Sequence, residues 1–313
     1  MFSFPMISAV DGLRLFVYHA WPGHTWLGHA WPGAPAAGRR EPEGVVVIAH
    51  GAGEHAARYA RLSAALNDAG WAVLALDQRG HGRSPGPDGH GDFGAGGWDA
   101  LVADLGQLID WARARYPRLH LTLLGHSMGA AAAQHFCLTG SGRIDALVLS
   151  GSTSMAYRQR QEAAALARGE TPVVGLPRPG FEGRTPFDWL SRDPVEVDRY
   201  VADPWCGFAF TDAARASMVS RGALTQPALL RNIRAALPVL LLAGDADPVN
   251  DGLRGLQALA AEWRAAGVRR IDTQYYPDGR HEMFNEINRD EVTAELIAWL
   301  REMRGAYGGV GFG

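Results

Sequence analysis

Lysine is absent from this chain of 313 residues, so arginine supplies every basic side chain apart from histidine. The 30 basic and 33 acidic residues leave a formal net charge of −3, and the sequence contains no basic block. Binding of nucleic acid requires a concentration of positive charge, which this sequence does not offer. We therefore expect no nucleic-acid partner, and we ascribe the missing lysine to genomic composition rather than to function.

Cysteine is also scarce, with two in the chain, Cys137 and Cys206. Neither lies in a pattern typical of a nucleophile, so we expect inert thiols in a reducing compartment and no disulfide framework. No apolar run is long enough to span a membrane, and the first sixteen residues lack the basic-then-apolar order of a secretory signal. These absences predict a soluble, cytoplasmic protein.

The most informative stretch present is LHLTLLGHSMGAAAA, at residues 119–133. Its leucines predict a buried strand and its alanines predict a helix, with the turn Gly125–Gly129 between them. Glycines at both ends of the turn let helix and strand approach closely while Ser127 takes a strained backbone conformation. In this strand–turn–helix setting, G-x-S-x-G predicts that Ser127 is an exposed nucleophile and that the N–H of Met128 faces developing negative charge.

Apolar runs alternate with amphipathic segments on either side of this turn. Strands are predicted at 44–49, 71–76, 121–124, 144–149, 238–243 and 270–276, and helices at 58–69, 98–116, 253–266 and 289–303. This order predicts an α/β fold with a mostly parallel central sheet and helices on both faces, in which sites lie beyond the carboxyl ends of strands. The Asp11–Gly12 dipeptide predicts a short antiparallel hairpin within 7–20.

Residues 152–235 break the alternation with prolines and with aromatic side chains that look exposed. These aromatic residues are Phe181, Phe187, Trp189, Trp205, Phe208 and Phe210. We predict that the segment is a cap, or lid, inserted into a core formed by residues 1–151 and 236–313. The alternative is a second packing layer without a gating role.

Two further chemical groups follow predicted strands. A serine hydroxyl needs a base to take its proton, and the base needs a carboxylate to orient it. His281 follows the last predicted strand, and Asp245 and Asp247 follow the strand before it. The chain order Ser, Asp, His is typical of α/β-hydrolase triads, and the spacing alone leaves both aspartates as candidates.

The tetrahedral intermediate of such chemistry needs two N–H donors for its oxygen. Met128 provides one, and the glycines of residues 50–53 favour Ala52 as the other because they let backbone amides turn inward. Several histidines lie on loops near this site: His50, His55, His81 and His90. Zinc binding by them is the alternative to loop support, but no cysteine joins them and none share a close ligand spacing. We expect neither a metal nor a cofactor.

Five segments occur in the order HGAGEHAARY, LDQRGHGRS, LGHSMG, AGDADPV and YPDGRHEMFNE. Together they resemble the monoacylglycerol lipase and lysophospholipase-like α/β-hydrolases, which are grouped with the serine aminopeptidases. The resemblance covers residues 10–303. It implies a triad of Ser127, Asp247 and His281, with Asp247 in the family's Gly-x-x-Asp pattern. It also implies Ala52 and Met128 as oxyanion donors.

The resemblance implies a serine carboxylic-ester hydrolase that cleaves monoacylglycerols or similar single-chain acyl esters through an acyl-enzyme. A short-chain carboxylesterase is the close alternative, and an amidase or aminopeptidase shares the triad. An aminopeptidase also needs a site for the substrate amine, for which the acidic cap residues are Glu182, Asp188, Asp193 and Glu196. Dehalogenases and epoxide hydrolases use an aspartate nucleophile, so Ser127 argues against both. A non-catalytic scaffold is disfavoured because all three triad residues are present.

The partner expected from this resemblance is a small-molecule acyl ester. Caps in the family are often apolar enough to meet lipid, so we also expect transient contact of the cap with a lipid or membrane surface. No oligomeric state follows from the sequence.

Overall fold

A computed structural model describes residues 2–22, 42–169 and 183–307, and in this part of the chain eight strands form one sheet. The strands are β1 (Phe2–Ile7), β2 (Arg14–Ala20), β3 (Gly44–Ala49), β4 (Trp71–Asp77), β5 (His120–His126), β6 (Ala146–Ser150), β7 (Val239–Gly244) and β8 (Ile271–Tyr276). Their order across the sheet is β1-β2-β4-β3-β5-β6-β7-β8. The hairpin β1–β2 and the pair β2–β4 are antiparallel, and the remaining pairs are parallel. The predicted hairpin and mostly parallel sheet are confirmed.

Helices cover both faces of the sheet. They are α1 (Ala60–Asp68), α2 (Gly97–Arg115), α3 (Met128–Gly140), α4 (Met155–Ala167), α5 (Pro194–Ala202), α6 (Asp212–Ser217), α7 (Pro227–Leu230), α8 (Arg254–Ala265) and α9 (Arg289–Tyr307). Apolar side chains of α2, α3 and α8 form one hydrophobic cluster with the sheet, and those of α1 and α9 form another. In β3, Val45 and Val47 belong to the first cluster and Val46 and Ile48 to the second. The continuous apolar strand runs therefore reflect burial on both faces.

The first helix begins later than the sequence indicates. Residues Ala56–Tyr59 form a 3-10 turn before α1. The backbone N–H of Ala56 donates to Asp77 Oδ1 at 2.8 Å, so the end of β4 holds the start of this turn. The predicted start of the helix, at Arg58, lies inside the tighter turn.

The insertion between β6 and β7 contains α4, α5, α6 and α7, and residues 152–235 are called the cap segment below. Trp189 of the cap segment packs with Leu190 and Tyr200 and is 4% exposed, so the expectation that it is exposed is wrong. The local sequence did not indicate that Trp189 is buried, because its burial depends on apolar side chains from other parts of the fold. Phe181 lies outside the described residues. Among the described helices, none has both the length and the apolar character needed to cross a bilayer.

The start of α3 lies against the end of β3, and Gly129 makes this close approach. A Cβ atom built on Gly129 lies 2.1 Å from the carbonyl oxygen of Ala49, which belongs to the backbone of a central strand. We expect Gly129→Ala to lower the free energy of unfolding by about 1–3 kcal/mol, because neither backbone can move freely. Urea denaturation measures this change.

Gly142 provides the matched control for this prediction. A Cβ atom built there meets no heavy atom within 4 Å. We expect Gly142→Ala to change the free energy of unfolding by less than about 0.5 kcal/mol. Equal losses in the two variants would contradict the steric explanation.

Candidate active site

The strand register brings the loops of the candidate site to one edge of the sheet. Ala49 at the end of β3 pairs with Gly125 of β5, and His126 at the end of β5 pairs with Ser150 of β6. Gly244 at the end of β7 pairs with Tyr276 at the end of β8. The loops that follow these parallel strands therefore leave the sheet side by side, as expected for a site at the carboxyl edge.

Ser127 lies in the sharp turn between β5 and α3. Its backbone has φ 53° and ψ −113°, a conformation that costs a residue with a side chain about 1–3 kcal/mol. Its N–H donates to the carbonyl of Ser150 at 2.9 Å, which anchors the turn to the end of β6. Met128 is the first residue of α3, so its N–H has no helical carbonyl one turn earlier to accept it. The turn thus presents a half-buried serine beside a free helix N-terminus.

His281 lies in the loop after β8 and is hydrogen-bonded to Asp247 from the loop after β7. The Nδ1 of His281 donates to Asp247 Oδ2 at 3.0 Å, and the two residues are 2% and 1% exposed. Asp247 also accepts the backbone N–H of Val249 at 2.8 Å and the amide of Asn250 at 3.4 Å. Donors on both oxygens hold the carboxylate in a single orientation.

Asp245 has a different environment from Asp247. It is exposed, and its Oδ1 accepts the backbone N–H of Asp278 at 2.7 Å, which joins the turns after β7 and β8. Of the two aspartates that the sequence leaves as candidates, the structure pairs Asp247 with His281.

The charges around His281 change its protonation. Burial by itself lowers the pKa of the imidazole, but the charge of Asp247 and its hydrogen bond raise it, with further support from Glu282 and Glu54. The balance leaves the pKa of His281 above its ordinary value of 6.5. A base with a raised pKa is a stronger acceptor for a serine proton, provided that the imidazole is neutral beforehand.

Gly151 lets His281 approach the loop that contains Ser127. It has φ +56°, and a Cβ atom built on it lies 2.9 Å from Cε1 of both His126 and His281. The two imidazole rings lie with centroids 4.6 Å apart. Burial and the adjacent charge of His281 lower the pKa of His126 to about 4, so His126 is neutral beside its partner. A side chain at position 151 is therefore expected to displace the histidine pair.

The loop after β3 is held beside Ser127 from two directions. The N–H of Gly51 donates to Glu54 Oε1 at 2.5 Å, and a Cβ atom built on Gly51 lies 3.3 Å from the Cβ of Ser127. The carbonyl of Gly53 accepts the hydroxyl of Tyr200 at 2.8 Å and the N–H of Gly207 at 2.9 Å. Ala52 thus lies between two anchored glycines, next to the serine turn.

A buried ion-pair network connects this loop with the loop of His281, and sequence reasoning missed it. Arg58 Nη1 lies 2.7 Å from Glu54 Oε2, and the same guanidinium binds both oxygens of Glu282 at 2.6 and 2.7 Å. Buried charges require such pairing. Arg58 and Glu54 lie in the segment HGAGEHAARY, and Glu282 lies in YPDGRHEMFNE. The sequence therefore contains the charged residues, but it does not indicate that Arg58 and Glu282, 224 positions apart, are in contact.

Trp189 of the cap segment is a second contact that the sequence did not indicate. Its ring centroid lies 4.9 Å from that of His281, and its carbonyl accepts the N–H of His281 at 3.4 Å. The neighbouring carbonyl of Leu190 accepts the N–H of Glu282 at 2.8 Å. The cap segment therefore holds the loop of the candidate base through its backbone.

The loop histidines have separate contacts. His50 Nε2 accepts the N–H of Gln78 at 3.0 Å, and burial lowers the pKa values of both His50 and His81 to about 3. His90 Nε2 donates to the carbonyl of Gly82 at 2.8 Å. His55 differs, because it binds Asp203 of the cap segment at 2.9 Å. The hydrogen bonds of His50, His90 and His55 thus go to different partners, and His50 and His81 contact each other through their rings.

The fold, with its serine turn and its His–Asp pair at the carboxyl edge of a parallel sheet, is that of an α/β-hydrolase. A family model described as "Serine aminopeptidase, S33" matches residues 40–288. The chain therefore belongs to this family and is a hydrolase, as the sequence resemblance predicts.

Individual relatives support the same assignment. The chain is 30% identical over 297 residues to the monoacylglycerol lipase of Mycolicibacterium smegmatis (strain ATCC 700084 / mc(2)155), covering 94% of this chain and 95% of the relative. It is 29% identical to the Homo sapiens monoglyceride lipase, covering 79% and 82% of the two chains. A solved carboxyl esterase from Bacillus coagulans, in complex with glycerol, superimposes with a TM-score of 0.79 at 24% identity over 96% of this chain and 98% of that one. This last similarity concerns the fold alone.

Proposed function

We propose that the protein is a serine carboxylic-ester hydrolase that cleaves single-chain acyl esters of the monoacylglycerol type. The observation that carries the proposal is similarity over nearly the whole length to a monoacylglycerol lipase. The hydrogen bond between His281 and Asp247, at the sheet edge that also presents Ser127, supports it. These three residues supply the nucleophile, base and orienting acid that ester hydrolysis requires.

In the proposed acylation step, Ser127 Oγ attacks the ester carbonyl carbon while His281 Nε2 takes the hydroxyl proton. Asp247 stabilises the resulting imidazolium through Nδ1, and the N–H groups of Ala52 and Met128 bind the negative oxygen of the tetrahedral intermediate. Collapse of the intermediate breaks the bond to the alcohol oxygen, which receives the proton from His281. The alcohol leaves, and the acyl group remains on Ser127.

The proposed deacylation step reverses these proton movements. His281 takes a proton from a water molecule, whose oxygen attacks the acyl carbon held on Ser127. The second tetrahedral intermediate uses the same two N–H donors. Its collapse releases the fatty acid and returns the proton to Ser127 Oγ, so the enzyme is regenerated without a cofactor.

We propose that residues 152–235 are a cap on a core of residues 1–151 and 236–313, and that the cap supplies apolar surface to the acyl chain. Phe208 and Phe210 are half-buried and lie 5.1 and 5.5 Å, between ring centroids, from His81. The ring of His81 contacts that of His50, which precedes the loop of Ala52. Aromatic surface near the oxyanion donors is suited to an acyl chain, and its edge is suited to transient contact with lipid.

The acidic residues weighed for an aminopeptidase are occupied where the structure describes them. Glu196 binds Arg61 and Arg199, and Asp193 binds Arg289 and caps α5. Asp188 accepts N–H groups of its own turn, and Glu182 lies outside the described residues. Because these carboxylates already bind other groups of the protein, they are not free to bind a substrate amine. This favours ester substrates over the peptide substrates of an aminopeptidase.

The decisive experiment compares hydrolysis of p-nitrophenyl esters of increasing acyl length with release of fatty acid from a monoacylglycerol. We expect activity to be highest with medium or long chains and monoacylglycerol to be turned over. An optimum at the shortest chains, without turnover of monoacylglycerol, would favour the short-chain carboxylesterase instead. Absence of turnover on all these esters, in protein of intact fold, would refute ester hydrolysis.

The pH dependence follows from the charges around His281. Because the base must be neutral to accept a proton and its pKa is raised above 6.5, we expect kcat/KM to increase with pH through an inflection above pH 6.5. A pH–rate profile on a soluble p-nitrophenyl ester, from about pH 5 to pH 9, measures this inflection. A profile that is already flat at pH 6.5 would contradict the assigned environment of His281.

A further inference from the structure

Three potential metal ligands from distant parts of the chain meet where the cap segment touches the core. They are His55 from the loop after β3, and Asp203 and Cys206 from the loop after α5. One ligand atom from each lies within 4.8 Å of the other two, and the imidazole Nε2 of His55 lies 2.9 Å from Asp203 Oδ2. We predicted no metal at the loop histidines because no cysteine joins them in the chain, but the fold brings Cys206 to His55, and 148 positions separate His55 from Asp203.

The local backbone holds these three groups in place. The N–H of Cys206 donates to the carbonyl of Asp203 at 3.0 Å, and the N–H of Trp205 donates to Asp203 Oδ1 at 2.8 Å. The N–H of the next residue, Gly207, binds the carbonyl of Gly53, two positions before His55. The loop of the cap segment is therefore fixed against the core at the point where the three side chains converge.

The site combines burial with access. His55 is 5% exposed, and its Nδ1 has no hydrogen-bond partner among the described residues. The ring of Trp205 meets the imidazole edge-on with centroids 5.4 Å apart, and the side chain of Asp203 keeps 29% of its surface in solvent. An ion can therefore reach the carboxylate, while the imidazole already lies in a largely dehydrated position.

The donor set selects the class of ion. Imidazole nitrogen, thiolate sulfur and carboxylate oxygen are the three ligand types of zinc, whereas calcium and magnesium prefer oxygen alone. Bonds of about 2.0–2.3 Å place tetrahedral ligand atoms about 3–4 Å apart. The distance of 2.9 Å between His55 and Asp203 is close to this range, and the limit of 4.8 Å on the other two separations requires only a small inward shift of the thiol. Three protein ligands leave the fourth position to water.

The surrounding charge also favours a cation. Arg58 is the basic group that acts on both Asp203 and Cys206, but it is bound by Glu54 and Glu282. Three carboxylates thus face one guanidinium in this region. The thiol of Cys206 loses its proton to solvent when the sulfur binds a metal ion, which is the ordinary course of zinc binding by cysteine.

We propose that His55, Asp203 and Cys206 form a zinc site that links the cap segment to the core loop that contains Ala52. The site is separate from the proposed ester hydrolysis and does not depend on it. Its expected consequence is that Zn²⁺ stabilises the contact of the cap segment with the loop that contains Ala52.

Titration with Co²⁺ tests the site, using purified full-length protein without a histidine tag. We expect a thiolate-to-cobalt charge-transfer band that saturates at one equivalent and is displaced by Zn²⁺. We expect Cys206→Ser to lose the band. Its Zn²⁺ affinity, measured by calorimetry, should fall further than it would on the loss of an outer-shell partner, which typically costs about 10–100-fold. Asp203→Asn keeps the band at weaker affinity.

The second cysteine provides the matched control. Cys137 is buried in α3 and does not belong to the cluster of His55, Asp203 and Cys206, so we expect Cys137→Ala to retain the band and its stoichiometry. Zn²⁺ is also expected to raise the melting temperature of the natural protein and of Cys137→Ala, but not that of Cys206→Ser. Absence of the band in the natural protein, or its persistence in Cys206→Ser, would overturn the proposal.

Discussion

The Ser127→Ala variant is expected to lose about 10⁴–10⁶-fold in kcat on every ester substrate, because no other group can accept the acyl chain. Alanine keeps the backbone conformation of the serine turn at the same steric cost, since both residues carry a Cβ at φ 53°. The melting temperature should therefore remain close to that of the natural protein. Release of p-nitrophenol under saturating substrate measures kcat.

A control serine and a covalent probe strengthen this test. Ser220 lies in the cap segment and donates to the exposed Asp99, and Ser220→Ala is expected to retain full activity. A fluorophosphonate probe should label the natural protein and Ser220→Ala but leave Ser127→Ala unlabelled. Retention of more than about a tenth of the activity by Ser127→Ala would refute nucleophilic catalysis by this serine.

The second large effect is expected at the carboxylate beside His281. Asp247→Asn preserves the size of the side chain but removes the charge that stabilises the imidazolium and fixes its tautomer. We expect a loss of about 10⁴-fold in kcat, as in other enzymes in which the acid of a triad becomes an amide. Because the pKa of His281 is raised above 6.5, steady-state kinetics on the pH-independent plateau of each protein separate this loss from simple protonation.

Asp245→Asn is the matched control for this substitution, because the two aspartates lie two positions apart in the same loop. Its amide oxygen still accepts the N–H of Asp278, and the side chain is exposed, so activity is expected to stay within about threefold. Equal losses at the two positions would mean that disturbance of the loop, rather than the charge of Asp247, causes the effect.

The fold could be predicted closely because burial on both faces leaves a simple pattern. GVVVIA is strand β3 without any change of boundary, and Gly at both ends of GHSMG marks the turn from β5 to α3. These features depend on residues adjacent in the chain. The assignment of Ala52 as an oxyanion donor also rests on neighbouring residues, Gly51 and Gly53, and it stays a prediction.

The candidate site could be predicted only in part, because some of its contacts are long-range. Spacing left Asp245 and Asp247 equivalent, and what separates them in the structure is burial and the position of His281, 34 positions later. Trp189 lies in a proline-containing segment without periodicity, so nothing local indicates that it packs on His281. The ion pairs of Arg58 likewise depend on how the loops after β3 and β8 converge.

The contacts of the cap segment with the core restrict how readily this segment can be exchanged between related proteins. Tyr200 and Gly207 bind the carbonyl of Gly53, while the carbonyls of Trp189 and Leu190 bind the loop of His281. A chimaera that receives the corresponding segment of a relative must therefore recreate supports for the loop of Ala52 and for the loop of His281. Single substitutions within residues 152–235 should therefore disturb these two loops less than replacement of the whole segment.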